Sequence, residues 1–416
     1  MPIFRYKLEN GLDVVIIPKN NMPIVSIHLA YRVGSKDEKP GKTGMAHLFE
    51  HLMFEGSRNV PKGDFDKFCS LAGGNNNAYT TNDLTAYTMT LPEHQLELGL
   101  WLESDRMMNL SLSQAALETQ QKVVTEEIHQ TVFDTPYGKW REKLSESAYN
   151  PNCSYSWEVH GKISDVESVG LADLNSFFGK FYQPGNACLV ICGNVKPAEG
   201  LGLVEKYFAE IPGKKNGISR NVFSEGMKKY GCTAGFNDTV PLAGVFKSFH
   251  CPGFLNDEIL SGDILASIAG GSKSSRMYNS LVYQKQAASQ VGAYVDKKEK
   301  TSLIVFYAIA DNPDIDCNML SDELDEALGS FLVNPVEQKE LEKTINMLDT
   351  QIAHELQYSS GIADIAANQA LFWDEPERIY SMLDKYRQVN IGDVNDFFRE
   401  YIKPERSIRI DAIPEE

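Results

Sequence analysis

The most informative stretch of this sequence is Gly44-Met-Ala-His-Leu-Phe-Glu-His-Leu-Met-Phe-Glu-Gly-Ser57. It has no glycine or proline from residue 45 to residue 55, which favours a helix over residues 43–54. At about 100° per residue, His51 lies about 40° from His47 around the helix axis, and Glu50 lies about 60° to the other side. The sequence therefore predicts two imidazoles and one carboxylate on a single face of a helix.

These three side chains have the chemistry of a metal site. Two imidazoles one helical turn apart can bind one Zn²⁺, and a carboxylate beside them can accept a proton from water. The order His-x-x-Glu-His is that of the inverted zincins. The competing interpretation is a pair of ordinary boundary histidines. The remaining residues of the helix are almost all apolar, so polar groups there would be unfavourable without a metal or partners, and a metal needs a third ligand.

A later helical segment offers candidates for that third ligand. It reads Gln121-Lys-Val-Val-Thr-Glu-Glu-Ile-His129. Glu126 and Glu127 are both suitable by chemistry alone, and His129 is a further possibility. Adjacent glutamates in a helix are more often a solvated face, so the residues by themselves leave the choice open.

A long-range repeat predicts the domain organisation. The segment Asp173-Leu-Asn-Ser-Phe-Phe-Gly-Lys-Phe-Tyr-Gln-Pro184 recurs 220 residues later as Asp393-Val-Asn-Asp-Phe-Phe-Arg-Glu-Tyr-Ile-Lys-Pro404. Each copy is typical of an amphipathic helix followed by a short β-branched strand. We therefore expect two domains of the same fold, residues 1–215 and 220–416, joined by a Gly/Lys/Asn-rich linker at 212–219.

Strand and helix patterns alternate within the first half. Residues 11–18 and 24–33 are typical of neighbouring strands, residues 77–91 of a later strand, and residues 92–109 and 113–132 of helices. Sheets combined with long helices indicate an α+β fold, here of two homologous mixed α/β domains.

Bulk properties exclude several classes of function. The net charge of −17 argues against nucleic-acid binding, and no apolar run approaches the ~18 residues of a membrane span. The seven scattered cysteines are expected to be reduced packing residues. The first residues show no signal-peptide pattern, so we expect a cytoplasmic protein, or a periplasmic one if a leader has been removed.

Together these motifs resemble the pitrilysin or insulinase family of zinc peptidases, which includes the mitochondrial processing peptidase. Besides the stretch at 44–57, the resemblance rests on segments throughout the chain: Gly73-Gly-Asn-Asn-Asn-Ala-Tyr-Thr-Thr-Asn-Asp-Leu-Thr-Ala-Tyr87, Val123-Val-Thr-Glu-Glu-Ile128, Tyr182-Gln-Pro-Gly-Asn-Ala-Cys-Leu-Val-Ile-Cys-Gly-Asn-Val195 and Gly270-Gly-Ser-Lys-Ser-Ser-Arg-Met-Tyr278. It implies the two-domain fold and a metalloendopeptidase with one Zn²⁺.

The resemblance also assigns roles to residues. The family's third ligand follows the second histidine by about 76 residues, which implies Glu127 as the ligand and Glu126 as its exposed neighbour. Seven residues earlier, where the family often has a supporting glutamate, this chain has Gln120, which can orient a neighbour but adds no negative charge. The family binds peptides as an added strand, which implies substrate contacts at Asn77 and Ala78.

One part of the family pattern is missing. Active relatives carry an Arg and, seven residues later, a Tyr in the second domain to grip the substrate, whereas this chain has Val282 and Ser289. Valine has no donor and serine is short. Tyr283 or Tyr294 could substitute, but core or surface packing is the expected role of both.

The missing pair resembles the zinc-bearing subunits of two-chain family members. We therefore expect a peptidase for short or unfolded peptides, completed by a homologous partner chain with the Arg/Tyr pair, with a homodimer as the alternative assembly. Two other functions remain open: a non-catalytic scaffold subunit with a residual zinc site, and a metal-binding partner that stabilises another peptidase.

Overall fold

The computed structural model describes residues 1–213, 218–220 and 223–415. The chain packs into two compact units. Unit 1 comprises Met1–Glu126, Val159–Asn221 and Ile352–Met382, and unit 2 comprises Glu127–Glu158, Val222–Gln351 and Leu383–Glu416. Each unit thus takes a segment from the other half of the sequence. The predicted linker at 212–219 falls partly on residues 214–217, which lie outside the described residues.

Within the described residues, each unit contains one β-sheet. The strands, in chain order, are β1 Phe4–Lys7, β2 Asp13–Pro18, β3 Ile24–Tyr31, β4 Asn75–Thr80, β5 Thr85–Pro92, β6 Ala187–Gly193, β7 Cys232–Asp238, β8 Gly244–Pro252, β9 Ala288–Asp296, β10 Thr301–Ala310 and β11 Ile408–Pro414.

Long helices connect these strands. The α-helices are α1 Met45–Leu52, α2 Asp64–Leu71, α3 Leu96–Asn109, α4 Gln114–Ile128, α5 Trp140–Ala148, α6 Ile163–Ser168, α7 Leu171–Phe181, α8 Pro197–Phe208, α9 Ile259–Gly270, α10 Cys317–Val333, α11 Gln338–Glu355, α12 Ser359–Trp373, α13 Met382–Gln388 and α14 Ile391–Tyr401. None of the helices in the described part of the chain is both long enough and apolar enough to cross a membrane.

The two sheets share one topology apart from β1, which has no counterpart among the described strands of unit 2. Among the described residues, unit 1 has the strand order β1-β2-β6-β3-β5-β4 and unit 2 has the order β7-β11-β8-β10-β9. In both, the strand after the repeated helix (β6 or β11) pairs in parallel with one neighbour and antiparallel with the other. The prediction of an α+β fold with two domains of one type is confirmed.

The core of unit 1 lies on both sides of its central strands. Strand β6 is buried along its whole length, as expected for a strand covered on both faces. Helix α12 packs on one face through small side chains, Ala363, Ala366 and Ala367, which are fully buried. Because alanine adds little bulk, the helix can approach the sheet closely. The C-terminal half of the sequence therefore completes the core of unit 1.

The predicted single strand over residues 77–91 is wrong, since two strands form there. Strands β4 and β5 pair antiparallel, with Thr80 opposite Thr85. The hydroxyl of Thr81 accepts hydrogen bonds from the backbone N–H groups of Asp83 (3.1 Å) and Leu84 (3.0 Å), which reverses the chain. Such local side-chain capping is a turn signal that alternation of apolar residues does not reveal. The turn leaves β4 at the edge of the sheet.

The burial of His250 in unit 2 predicts a pH dependence of the stability of the chain. His250 donates from Nε2 to the carbonyl of Ala148 at 2.9 Å, and burial, the main cause, lowers its pKa from 6.5 to about 4. The unfolded chain therefore binds this proton first, and stability is lost as the pH falls from about 6.5 towards 4. The difference between the ordinary histidine pKa and the pKa of folded His250 corresponds to about 3 kcal/mol of unfolding free energy.

We expect His250→Gln to show a shallower fall in unfolding free energy over this pH range than the wild-type chain. Urea titrations at pH 7, 5.5 and 4.5 measure the difference, with exposed His94→Gln as the control. Equal slopes for the wild type and His250→Gln would contradict the assignment.

Candidate metal centre

Contacts with other parts of unit 1 determine where helix α1 begins. Gly44 precedes it at φ +80°, and a Cβ there would lie 2.3 Å from the carbonyl oxygen of His160, so glycine is required. The buried carboxylate of Glu38 accepts hydrogen bonds from the N–H groups of Gly44 (3.0 Å) and Ala46 (2.7 Å). A carboxylate at this end also interacts favourably with the helix dipole. The first turn of α1 is thereby fixed.

The predicted polar face of α1 is present. Its apolar side chains are buried, and the ring of Phe49 lies 4.5 Å from that of Tyr182 and 5.7 Å from that of Phe178. His47, Glu50 and His51 are the partly exposed residues of this helix. Packing of one face thus presents the two imidazoles and the carboxylate together.

The spacing of the two imidazoles is compatible with two ligands of one metal ion. The Nε2 atoms of His47 and His51 lie 3.4 Å apart, with the ring planes at 86°. Two nitrogens bound tetrahedrally to zinc at about 2.0–2.1 Å lie about 3.3–3.4 Å from each other. The distance is longer than that of a typical N–H···O hydrogen bond, about 2.9–3.0 Å. The spacing therefore fits two ligands of one ion.

Glu127 joins the two histidines. One ligand atom from each of His47, His51 and Glu127 lies within 4.8 Å of the others. Glu126 is exposed, and His129 is an exposed residue of the π-helical turn that follows α4. Of the three candidates on this segment, Glu127 is the one that the fold brings to the histidines.

Contacts within unit 1 hold helix α4 in this position. Gln120 donates from Nε2 to the Glu55 carboxylate at 2.6 Å, just beyond the end of α1. Gln121 donates to backbone carbonyls at the C-terminal end of α6, at 2.8 Å for Val166 within the helix and 3.1 Å for Val169 just after it. The amide of Gln120 therefore links α4 to the turn after α1. This hydrogen bond is made to Glu55 and not to His47, His51 or Glu127.

Glu50 is hydrogen-bonded to strand β4, and its charge acts on two buried phenols. Its Oε2 accepts a hydrogen bond of 2.5 Å from the hydroxyl of Thr80. Burial raises the pKa of Tyr87 well above its ordinary value and likewise that of Tyr182, and the nearby Glu50 charge acts in the same direction. Both phenols therefore stay neutral.

The predicted peptide-binding residues lie on the edge strand. Asn77 is exposed and Ala78 partly exposed on β4, the outermost strand of the unit 1 sheet. An edge strand has unpaired backbone groups on its outer side, which a peptide strand can pair with. Their role in binding stays a prediction.

The positions of the missing Arg/Tyr pair are occupied by residues with other contacts. Val282 lies in the π-helical segment Tyr278–Gln284 and is partly buried. The Ser289 hydroxyl donates to the carbonyl of Ala310 at 2.8 Å. Tyr283 is 76% exposed, and Tyr294 packs against the apolar core of unit 2. The packing role expected for Tyr294 agrees with this position.

Two residues of the centre had no sequence signal. Glu38 caps α1 from a separate loop, and Thr80 reaches Glu50 from a strand 30 residues away in sequence. A threonine in a strand and a glutamate in a loop are both common, so neither residue stands out without the fold.

Comparisons with known proteins identify the family. Residues 14–154 match the family described as Insulinase (Peptidase family M16), and residues 168–348 match the Peptidase M16 inactive domain. Together the matches span more than half of the chain. This protein belongs to the M16 family of peptidases, and the resemblance to the insulinase family is confirmed.

Individual relatives agree with this assignment. The chain is 28% identical over 409 residues to a protein named zinc protease PqqE from Helicobacter pylori, covering 97% of this chain and 91% of the relative. A crystal structure of a protease from Helicobacter pylori matches with a TM-score of 0.93 at 27% identity, over 99% of both chains. The chain is also 24% identical, over 50% of its length and 44% of the relative, to the mitochondrial-processing peptidase subunit beta of Blastocladiella emersonii.

Proposed function

We propose that this chain is the zinc-bearing subunit of an endopeptidase that hydrolyses short or unfolded peptides. The observation that carries the proposal is the convergence of His47, His51 and Glu127 beside Glu50. Two neutral imidazoles and a carboxylate are a common protein ligand set of catalytic zinc. The fit of the 3.4 Å nitrogen spacing to tetrahedral coordination supports zinc as the metal.

Each residue then has a distinct task. His47, His51 and Glu127 would hold the ion, which when bound supplies a Lewis acid that polarises the peptide carbonyl and acidifies water. Glu50 accepts the proton of the attacking water and delivers it to the leaving amine. The outer edge of β4 at Asn77 and Ala78 pairs with the peptide backbone, so binding depends on extended conformation more than on side-chain identity. This favours unfolded substrates.

The two positions at which the family resemblance places an Arg and a Tyr hold Val282 and Ser289 in this chain. Val282 has no hydrogen-bond donor, and the Ser289 hydroxyl is bonded within its own sheet. We therefore propose that a homologous second subunit supplies an Arg and a Tyr to the substrate. The match to a processing-peptidase subunit supports a two-chain arrangement.

Metal analysis tests the ligand set. We expect one Zn²⁺ per wild-type chain and a large loss of zinc in His51→Ala, since removing one of three protein ligands weakens binding and opens the site. Replacing exposed His129 with alanine is the matched control and should leave the zinc content unchanged. Full zinc occupancy in purified His51→Ala would refute the assignment of His51.

A non-catalytic scaffold subunit is the second candidate, favoured by Val282 and Ser289 in place of the pair. The two functions predict different behaviour of the zinc-loaded chain. A peptidase subunit hydrolyses peptides once its partner is present, whereas a scaffold binds zinc and the partner without turnover.

A further inference from the structure

We propose that Thr80 is a positioning residue that holds the Glu50 carboxylate in the orientation needed for proton transfer. This inference rests on the proposed function of Glu50 as the base. It is carried by the hydrogen bond of 2.5 Å from the Thr80 hydroxyl to Oε2 of Glu50, which joins strand β4 to helix α1.

The direction of the Thr80 proton follows from its neighbours. The next hydroxyl, that of Thr85, lies 3.5 Å away, too far for a strong bond, and it donates its own proton to the Val33 carbonyl at 2.8 Å. An ionised carboxylate only accepts hydrogen bonds, so Thr80 must be the donor to Glu50. A hydrogen bond to an ionised group is stronger than a neutral one, which makes Thr80 an effective restraint.

Strand β4 can restrain Glu50 because its opposite face is hydrogen-bonded to helix α12. Successive side chains of a strand point to opposite faces, so Tyr79 points away from Glu50. The Tyr79 hydroxyl donates to the carboxylate of Asp364 on α12, and burial raises its pKa, so it remains a donor. Asp364 also lies 3.5 Å from Nε2 of buried His28 on β3. Thr80 thus projects from a strand held by the helix behind it.

The position of Thr80 couples base orientation to peptide binding. Thr80 follows Ala78 by two residues on the strand proposed to pair with the substrate, and so lies on the same face as Ala78. A glutamate side chain has several rotatable bonds, so loss of this hydrogen bond lets the carboxylate sample more orientations. One strand therefore aligns both the peptide and the base, and loss of the hydroxyl should lower kcat more than it changes KM.

The test compares Thr80→Val, which removes the hydroxyl at equal size, with Thr80→Ser, which keeps it. Thr80→Ala is a second substitution that removes the hydroxyl, in case the valine packs poorly. Thr90→Val is the matched control, because Thr90 is a partly buried threonine on the adjacent strand whose hydroxyl meets Ser26 at 3.0 Å. Zinc content, crystal structures and peptide hydrolysis are measured for each, with the partner chain present where turnover requires it.

We expect Thr80→Val and Thr80→Ala to retain zinc and to show a displaced Glu50 carboxylate in the crystal structure. Their kcat should fall by about tenfold or more with KM nearly unchanged. Thr80→Ser should restore both position and rate, and Thr90→Val should match wild type. An undisplaced carboxylate, or a kcat within about twofold of wild type, overturns the proposal, as does a serine variant as slow as Thr80→Val and Thr80→Ala. If Glu50→Gln retains wild-type turnover, the base assignment fails separately, and the carboxylate position alone decides the role of Thr80.

Discussion

Glu50→Gln should bind zinc as the wild-type chain does and lose at least about 10²–10⁴-fold in kcat, the usual contribution of a general base. Glutamine keeps the size of the side chain and can still accept the hydrogen bond from Thr80 at the position where Glu50 now accepts it. It cannot accept a proton from water. Because the side-chain shape and the hydrogen bond from Thr80 are kept, a fall in kcat measures the loss of proton transfer.

The measurement is peptide hydrolysis by the zinc-loaded protein, with the partner chain present where turnover requires it, paired with metal analysis of this chain from the same preparation. Glu126→Gln is the control, because Glu126 is an exposed glutamate next to a proposed ligand and should leave both quantities unchanged. Turnover of Glu50→Gln at the wild-type rate would mean that another residue is the base. Loss of zinc in Glu50→Gln would mean that Glu50 holds the metal or its helix.

The chain without a partner should hydrolyse peptides slowly or not at all, and it should gain about 10²–10³-fold or more with a homologue that carries the Arg/Tyr pair. A preorganised donor to the developing oxyanion is typically worth about 10²–10³ in rate, and the family resemblance places two such donors at positions 282 and 289. Val282 and Ser289 cannot supply them, since one has no donor and the other bonds to the Ala310 carbonyl.

Purified chain, purified partner and their mixture should be compared on one unfolded peptide. A partner with its Arg replaced by alanine is the control and should give little stimulation. A second test installs the pair by Val282→Arg with Ser289→Tyr, for which we expect partial rescue because Val282 is partly buried and resists a guanidinium. If the chain free of any partner turns over as fast as family members with both motifs, the divided site is wrong.

The local pattern of the sequence was sufficient for helix α1 and its polar face. The positions of His47, Glu50 and His51 relative to each other depend only on helical periodicity, which is a property of the backbone. The 220-residue repeat likewise predicted two copies of one fold, and α7 with β6 and α14 with β11 are the observed copies. Both inferences rely on interactions within a short segment, or on comparison of two such segments.

The tertiary structure decided everything that joins distant segments. Chemistry alone left Glu126, Glu127 and His129 open, and the way α4 packs against the turn after α1 brings Glu127 to the histidines. The contact of Thr80 with Glu50 and the packing of α12 on the first sheet also depend on the full fold. The physical reason is that periodicity determines which side chains share a face, whereas the packing of apolar faces determines which faces meet.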